Sequence, residues 1–173
     1  MTMHSGQVLS FPLFTEEFCR RITTEMRRIA QTFHHISIQF NIVGINLMNF
    51  GFDSLLNSMC QLIAPHVTKL FPHLFDDALS KLVGKYIYII RYKIGEDVSH
   101  PPHRDDSDIT INVCLGEKFK GGSLQLLGND NSKIEIQQRP GFGILHLGNC
   151  IHWANEITEG ERINLIMWFK VEK

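Results

Sequence analysis

A chain of 173 residues with 43% hydrophobic and 20% charged residues has the size and balance of one globular domain, expected to span 1–173. A net charge of -1, with no block of like charge, argues against a polyanion, so nucleic acid is not an expected partner. No apolar run reaches the ~18 residues that a membrane span needs, and the opening MTMHSGQVLSFPLF lacks the segments of a secretory signal, so an intracellular, cytoplasmic protein without membrane contact is expected.

The first half, roughly 1–83, reads as mainly helical support. Thr15 is placed to cap a helix whose first turn carries Glu16 and Glu17, which suit the positive end of the helix dipole. Phe18, Ile22, Met26 and Ile29 then recur at helical spacing, with Arg20, Arg21, Arg27 and Arg28 mostly on the other side. Asp53 is placed to cap a second helix, with Leu56, Met59, Ile63, Val67 and Leu70 as its buried face and PHLF at 72–75 as its end. Between the helices, 36–52 is mixed and has room for a short strand.

From 84 the period changes to that of strands. KYIYIIRYKI at 85–94 is β-branched and aromatic. ITINVCL (109–115), SLQLL (123–127), KIEIQ (133–137), FGILHL (142–147) and INLIMWFKV (163–171) follow, punctuated by GG, GNDN, PG, GN and EG. Helices followed by short strands imply an α+β chain with a sandwich or jelly-roll core. Cys19, Cys60, Cys114 and Cys150 are far apart and form no CxxC, so free thiols are expected rather than disulfides.

The chemistry concentrates in His103-Arg104-Asp105 and His152. Side chains at i and i+2 on an extended segment share a face, so His103 and Asp105 can reach one ion, and a barrel-like closure can bring His152 to it. Two imidazoles and a carboxylate form a facial triad suited to Fe(II), whereas structural zinc prefers four filled positions. A His-x-Asp pair alone is weak, because a chain with nine histidines contains such pairs by chance. Arg104 lies between the two ligands and is expected to point away from the metal. His146 reads as a satisfied histidine near the site, and His100 as a loop residue. His34, His35, His66 and His73 lack partner spacing. Asp106 and Asp108 suit solvated loop positions or, alternatively, a cationic substrate at the mouth. Trp153 suits either the entrance or packing, and Trp168 the core.

IIRYKIG, HRDDSDITINVCLG, FKGGSLQLLG, RPGFGILHLGNCIH and TEGERINLIMWFK together resemble the 2-oxoglutarate/Fe(II) oxygenases of the lysyl and prolyl hydroxylase branch. FPLFTEEFCRRI and GFDSLL are similar to a group of 2-oxoglutarate and iron-dependent oxygenase domain-containing proteins. The resemblance implies a double-stranded β-helix with buttressing N-terminal helices. It implies Fe(II) on His103, Asp105 and His152, with Arg162, ten residues past the second histidine, gripping the distal carboxylate of 2-oxoglutarate. Tyr92 and Asn112 would line the cosubstrate pocket. O2 would be the oxidant, ascorbate a supporting reductant, and a protein or peptide side chain of lysyl or prolyl type the substrate. The alternatives are a small metabolite, a nucleic acid base, or a cupin-like binding module without turnover. Nucleic-acid demethylases of the superfamily usually carry a further arginine six residues after the clamp, where this chain has Trp168. Residues set no oligomeric state.

Overall fold

The computed structural model describes residues 1–32, 45–75, 79–116, 118–128 and 130–172. In chain order its elements are β1 (Thr2–Ser5), β2 (Val8–Pro12), α1 (Glu16–Thr32), β3 (Ile45–Asn46), α2 (Asp53–Leu70), β4 (Lys81–Lys93), β5 (His100–His103), β6 (Ile109–Gly116), β7 (Phe119–Gly121), β8 (Leu124–Leu127), β9 (Lys133–Ile136), β10 (Phe142–Leu147), β11 (His152–Ala154) and β12 (Ile157–Glu172). The larger antiparallel sheet runs β1-β2-β10-β6-β12-β4-β3, with β7 paired to β12, and the smaller runs β5-β11-β8-β9. Val8 and Ile144 of the larger sheet pack on Leu124, Leu126 and Ile136 of the smaller one. The two sheets face each other in a double-stranded β-helix.

Alternation along each strand sorts the side chains into two environments. Ile109, Ile111, Val113 and Leu115 of β6 join Ile163, Leu165, Met167 and Phe169 of β12, and Ile87 and Ile89 of β4, in a core shared with both helices. The intervening residues, Thr110, Asn112, Arg162, Asn164, Tyr88 and Tyr92 among them, face the other sheet. A bulge in β4 opposite Trp168 and Phe169 resets this parity, which lets Leu82 and Ile87 serve one core.

The helices form for the reasons their sequences carry. Thr15 Oγ1 accepts the Phe18 N–H at 3.2 Å, and Cys19, Ile22, Met26 and Ile29 are buried. Asp53 is the first residue inside α2 and Phe52 flanks it, so the carboxylate complements the dipole and caps nothing. Leu56, Cys60, Ile63 and Val67 form the buried stripe, while Met59 and Leu70 pack at its margin. Pro65 lies inside this helix, and its missing N–H falls on the exposed side.

The strands differ from the expectation in several places, the short β7 among them. β1 and β2 add to the edge of the larger sheet through β10, without a hydrophobic pattern long enough to announce them. β5 and β11 are short, and their register comes from neighbours. β12 begins at Ile157 and runs through Glu159-Gly160, which was expected to be a turn. Gly160 has φ +76, and a Cβ there would lie 1.7 Å from the Lys118 carbonyl, so the strand bends at a residue only glycine can occupy. The short strand expected in 36–52 is β3; His34 and His35 lie outside the described residues. All four cysteines are free and buried. Among the described residues no helix is long and apolar enough to cross a membrane.

Leu56 is fully buried, and a Cβ on Gly84 would lie 2.5 Å from its Cγ. Leu56→Ala is expected to lower the unfolding free energy by about 2–5 kcal/mol, and Gly84→Ala by about 1–3 kcal/mol through overpacking. In the double variant the Gly84→Ala cost should largely vanish; urea unfolding of the four proteins measures the coupling.

Candidate metal centre and active site

His103 ends β5 and His152 begins β11, and the two are direct partners in the antiparallel ladder. Cross-strand pairing puts their rings side by side, with centroids 4.2 Å apart. Asp105 follows β5 by two residues and turns its carboxylate between them. Oδ1 lies 3.5 Å from His103 Nε2, and Oδ2 lies 3.6 Å from His152 Nε2. All three ligand atoms fall within 4.8 Å of one another. Donors bound at about 2.1 Å on one octahedral face are about 3 Å apart, so this set needs little adjustment to close on one ion.

Each histidine is oriented by a backbone carbonyl two residues earlier in the chain. His103 Nδ1 lies 2.8 Å from the Pro101 carbonyl oxygen, and His152 Nδ1 lies 3.0 Å from that of Cys150. An acceptor at Nδ1 fixes the proton there and leaves the Nε2 lone pair directed at the centre. Thr110 donates its hydroxyl to Asp105 Oδ2 at 2.6 Å, and Ser107 lies 2.8 Å from Thr110. The loop carrying Asp105 is tied to the end of β10: Asp105 N–H donates to the Gly148 carbonyl, and Gly148 N–H to that of Asp108.

Electrostatics leave the donors ready for a cation. Burial raises the Asp105 pKa, but the hydrogen bond from His103, the neighbouring imidazoles and the Thr110 hydroxyl outweigh it and hold the carboxyl below its usual range. Burial, with neighbouring His146, drives His152 down to about 3, so its ring is neutral near pH 7. Burial lowers His103, yet Asp105 and the Pro101 carbonyl leave it raised overall.

Arg162 sits on β12 opposite Tyr92 of β4 and is 1% exposed. Its guanidinium carbon lies 4.3 Å from the centre of the Tyr92 ring, and Nη1 donates to the Gly122 carbonyl. A Cβ on Gly122 would lie 2.5 Å from Nη1, so the glycine is what admits the guanidinium. Arg162 Nε has no hydrogen-bond partner among the described residues, and the groups that favour its charge are Tyr92 and Cys114, not a carboxylate. A buried cation without an anion is costly unless a ligand supplies one. Asn112 Oδ1 accepts from Asn164 Nδ2 at 2.6 Å, and Gln138 Oε1 lies 3.3 Å from the same nitrogen. Asn164 Oδ1 and Gln138 Nε2 are buried and unpaired among the described residues. Tyr92, Asn112, Thr110 and the triad line one small cavity between the sheets.

The remaining candidates divide clearly. His100 is not a loop residue: it starts β5, stacks on His103 at 4.0 Å, and lines both the inner cavity and an outer groove of about 360 Å³. His146 is fully buried against His152 at 4.4 Å; its Nδ1 lies 2.9 Å from the Leu147 carbonyl, but Nε2 has no partner among the described residues. Arg104 Nε donates to the Asn149 carbonyl at the groove rim. Asp106 pairs with Lys170, and Asp108 accepts the Val171 N–H at 2.7 Å, so both are engaged within the chain. Trp153 donates to Asn155 and does not line the groove, whereas Trp168 does. Thr110, Gln138 and Asn164 escaped sequence reasoning. Alternation held a usable signal for two of them: Thr110 shares parity with Asn112, and Asn164 with Arg162.

The fold is the double-stranded β-helix of the 2-oxoglutarate/Fe(II) oxygenase class, and its three clustered donors could hold one metal ion. Residues 1–88 match the OGFOD2-like domain, and the chain belongs to that family. It is 32% identical, over 93% of its length, to the 2-oxoglutarate and iron-dependent oxygenase domain-containing protein ICU11 of Arabidopsis thaliana, covering 44% of that protein. It is 29% identical over 88% of its length to procollagen-lysine,2-oxoglutarate 5-dioxygenase 1 of Mus musculus, covering 22% of it. The viral collagen prolyl hydroxylase vCPH of Paramecium Bursaria Chlorella virus-1, solved as a 2OG complex, superposes with a TM-score of 0.68 at 15% identity, over 96% of this chain and 97% of that one. The chain spans about half the length, or less, of the curated relatives it matches.

Two checks follow. A Cβ on Gly148 would lie 1.9 Å from the Ser107 carbonyl oxygen, so Gly148→Ala is expected to cost about 1–3 kcal/mol by urea unfolding. His152 and His146 have folded pKa values lowered from 6.5, so in that range the unfolded chain binds more protons. Stability of chelator-treated protein should therefore fall from pH 7 to pH 5, and the fall should be shallower in His152→Phe.

Proposed function

We propose that this chain is an Fe(II)- and 2-oxoglutarate-dependent dioxygenase that hydroxylates a protein or peptide side chain of lysyl or prolyl type, releasing succinate and CO2. The observation that carries this reading is one face presenting two imidazoles and a carboxylate beside a buried arginine with no carboxylate partner among the described residues. His103, Asp105 and His152 hold the iron. Arg162 holds the distal carboxylate of 2-oxoglutarate, for which its planar fork is suited. Tyr92 stacks under that guanidinium and fixes its plane, and Asn112, anchored by Asn164, lines the wall between clamp and triad.

Bound there, the metal and cosubstrate supply the oxidation: O2 and 2-oxoglutarate become succinate, CO2 and one hydroxyl oxygen on a substrate carbon, with ascorbate in support. The chain contributes placement. Thr110 holds Asp105 so that Oδ1 and Oδ2 address the two histidines, and the Pro101 and Cys150 carbonyls hold both imidazole protons away from the centre. A facial triad leaves room for a chelating cosubstrate and O2. A peptide substrate is supported by the names of the lysyl and prolyl hydroxylase relatives. A net charge of -1 with no block of like charge argues against a nucleic acid base.

Wild type with Fe(II), 2-oxoglutarate, ascorbate and O2 is expected to release succinate, and Asp105→Ala to release none. Equal release from both would remove Asp105 from the site, and release from neither, with no cosubstrate binding, would favour a binding module. Arg162→Ala should raise the apparent KM for 2-oxoglutarate by about 10- to 100-fold, the loss of charge-assisted hydrogen bonds. Excess Zn(II) should suppress turnover, since it outranks Fe(II) for such donors.

A further inference from the structure

The groove outside the triad is walled by rings. Trp168 meets Tyr88 edge-on at 5.5 Å and 89°, and Tyr86 at 6.1 Å and 88°. His100 and His103 form its inner end, where His103 also belongs to the triad. Among the described residues no carboxylate lines it, and the one charged side chain in its wall besides the histidines is Arg104. Asn46 Oδ1 accepts the Met48 N–H, and the group is neutral, so it offers no countercharge. Of the described acids in this region, Asp105 lies between the two histidines, Asp106 pairs with Lys170, and Asp108 accepts the Val171 amide. Asp97, whose charge reaches His100, does not line the groove.

We infer that the groove formed by Tyr86, Tyr88, Trp168 and His100 selects an uncharged, carbon-rich side chain, such as a prolyl ring in an extended segment, and rejects a free lysine ammonium. This rests on the oxygenase reading above and chooses between its two substrate types. A primary ammonium entering the groove gives up hydration and gains no carboxylate among the described lining residues, while Arg104 repels it. Attraction to ring faces at a partly open site is weaker than that loss. A prolyl ring gives up little hydration and packs on aromatic faces, as extended proline-rich segments do in other aromatic grooves. His100 stands where the groove meets the inner cavity, so the reacting carbon passes its ring to approach the triad. His100 is therefore a specificity-determining residue.

The test uses the full chain loaded with Zn(II) and 2-oxoglutarate, which holds the site without turnover. Three fluorescein-labelled peptides, identical but for a central Pro, Lys or trimethyl-Lys, are titrated by fluorescence polarisation. The Pro peptide is expected to bind at least about tenfold tighter than the Lys peptide. Trp168→Ala and the more exposed Tyr86→Leu should each erode that preference while Co(II) binding, followed by its visible absorption, stays as in wild type. Tightest binding of Lys or trimethyl-Lys overturns the inference, as does lack of discrimination, including no binding by any peptide. Failure of Co(II) to bind wild type would instead overturn the oxygenase reading, so the two failures are separable.

Discussion

The site depends on one register: His103 of β5 opposite His152 of β11. Strand side chains alternate, so a slip of one residue would turn one imidazole to the other face of the sheet and dissolve the triad. Neither strand is long enough to fix its own register. β11 is set by β8, where His152 opposes the fully buried Leu126. The approach to both strands is set by the backbone bonds that join Asp105, Asp108 and Gly148. The larger sheet, anchored on the helices, thus determines the position of three donor atoms in the smaller one.

The same alternation separates stability from chemistry. One face of β4, β6, β10 and β12 packs on α1 and α2 as a continuous apolar core. The other face carries Thr110, Asn112, His146, Arg162 and Asn164, all buried. Four polar atoms in this region, on Arg162, Asn164, Gln138 and His146, lack a partner among the described residues. Unpaired buried polar groups weaken a fold, and a protein retains them where a ligand or reaction uses them. The helix-side core offsets that cost.

Much of this was legible in the residues. The longer strands from 85 onward and the helical stripe of α1 followed from period, and spacing and resemblance singled out the three donors that the fold brings together, because each rests on local pattern or strong chemistry. β1, β2, β5, β7 and β11 did not, since three to five residues carry no period and gain their identity from neighbours. β12 was read as starting six residues late because Gly160, usually a turn residue, here bends a continuing strand. His100 was misplaced, and Trp168, read as core, packs on a core cluster and also lines the groove, because such a position depends on which strand lies opposite. The commitments of Asp106 to Lys170 and of Asp108 to the Val171 amide span more than sixty residues of chain, beyond what local pattern reports.

The most direct test of the account is an anaerobic titration of Fe(II), then 2-oxoglutarate, into wild type, Asp105→Ala and Arg162→Ala, followed by calorimetry and visible absorption. The account expects wild type to take one Fe(II) and then one 2-oxoglutarate with a metal-to-ligand charge-transfer band. Asp105→Ala should lose the metal, and Arg162→Ala should keep it while binding the cosubstrate weakly. Fe(II) binding unaffected by loss of Asp105, or 2-oxoglutarate binding unaffected by loss of Arg162, would contradict it.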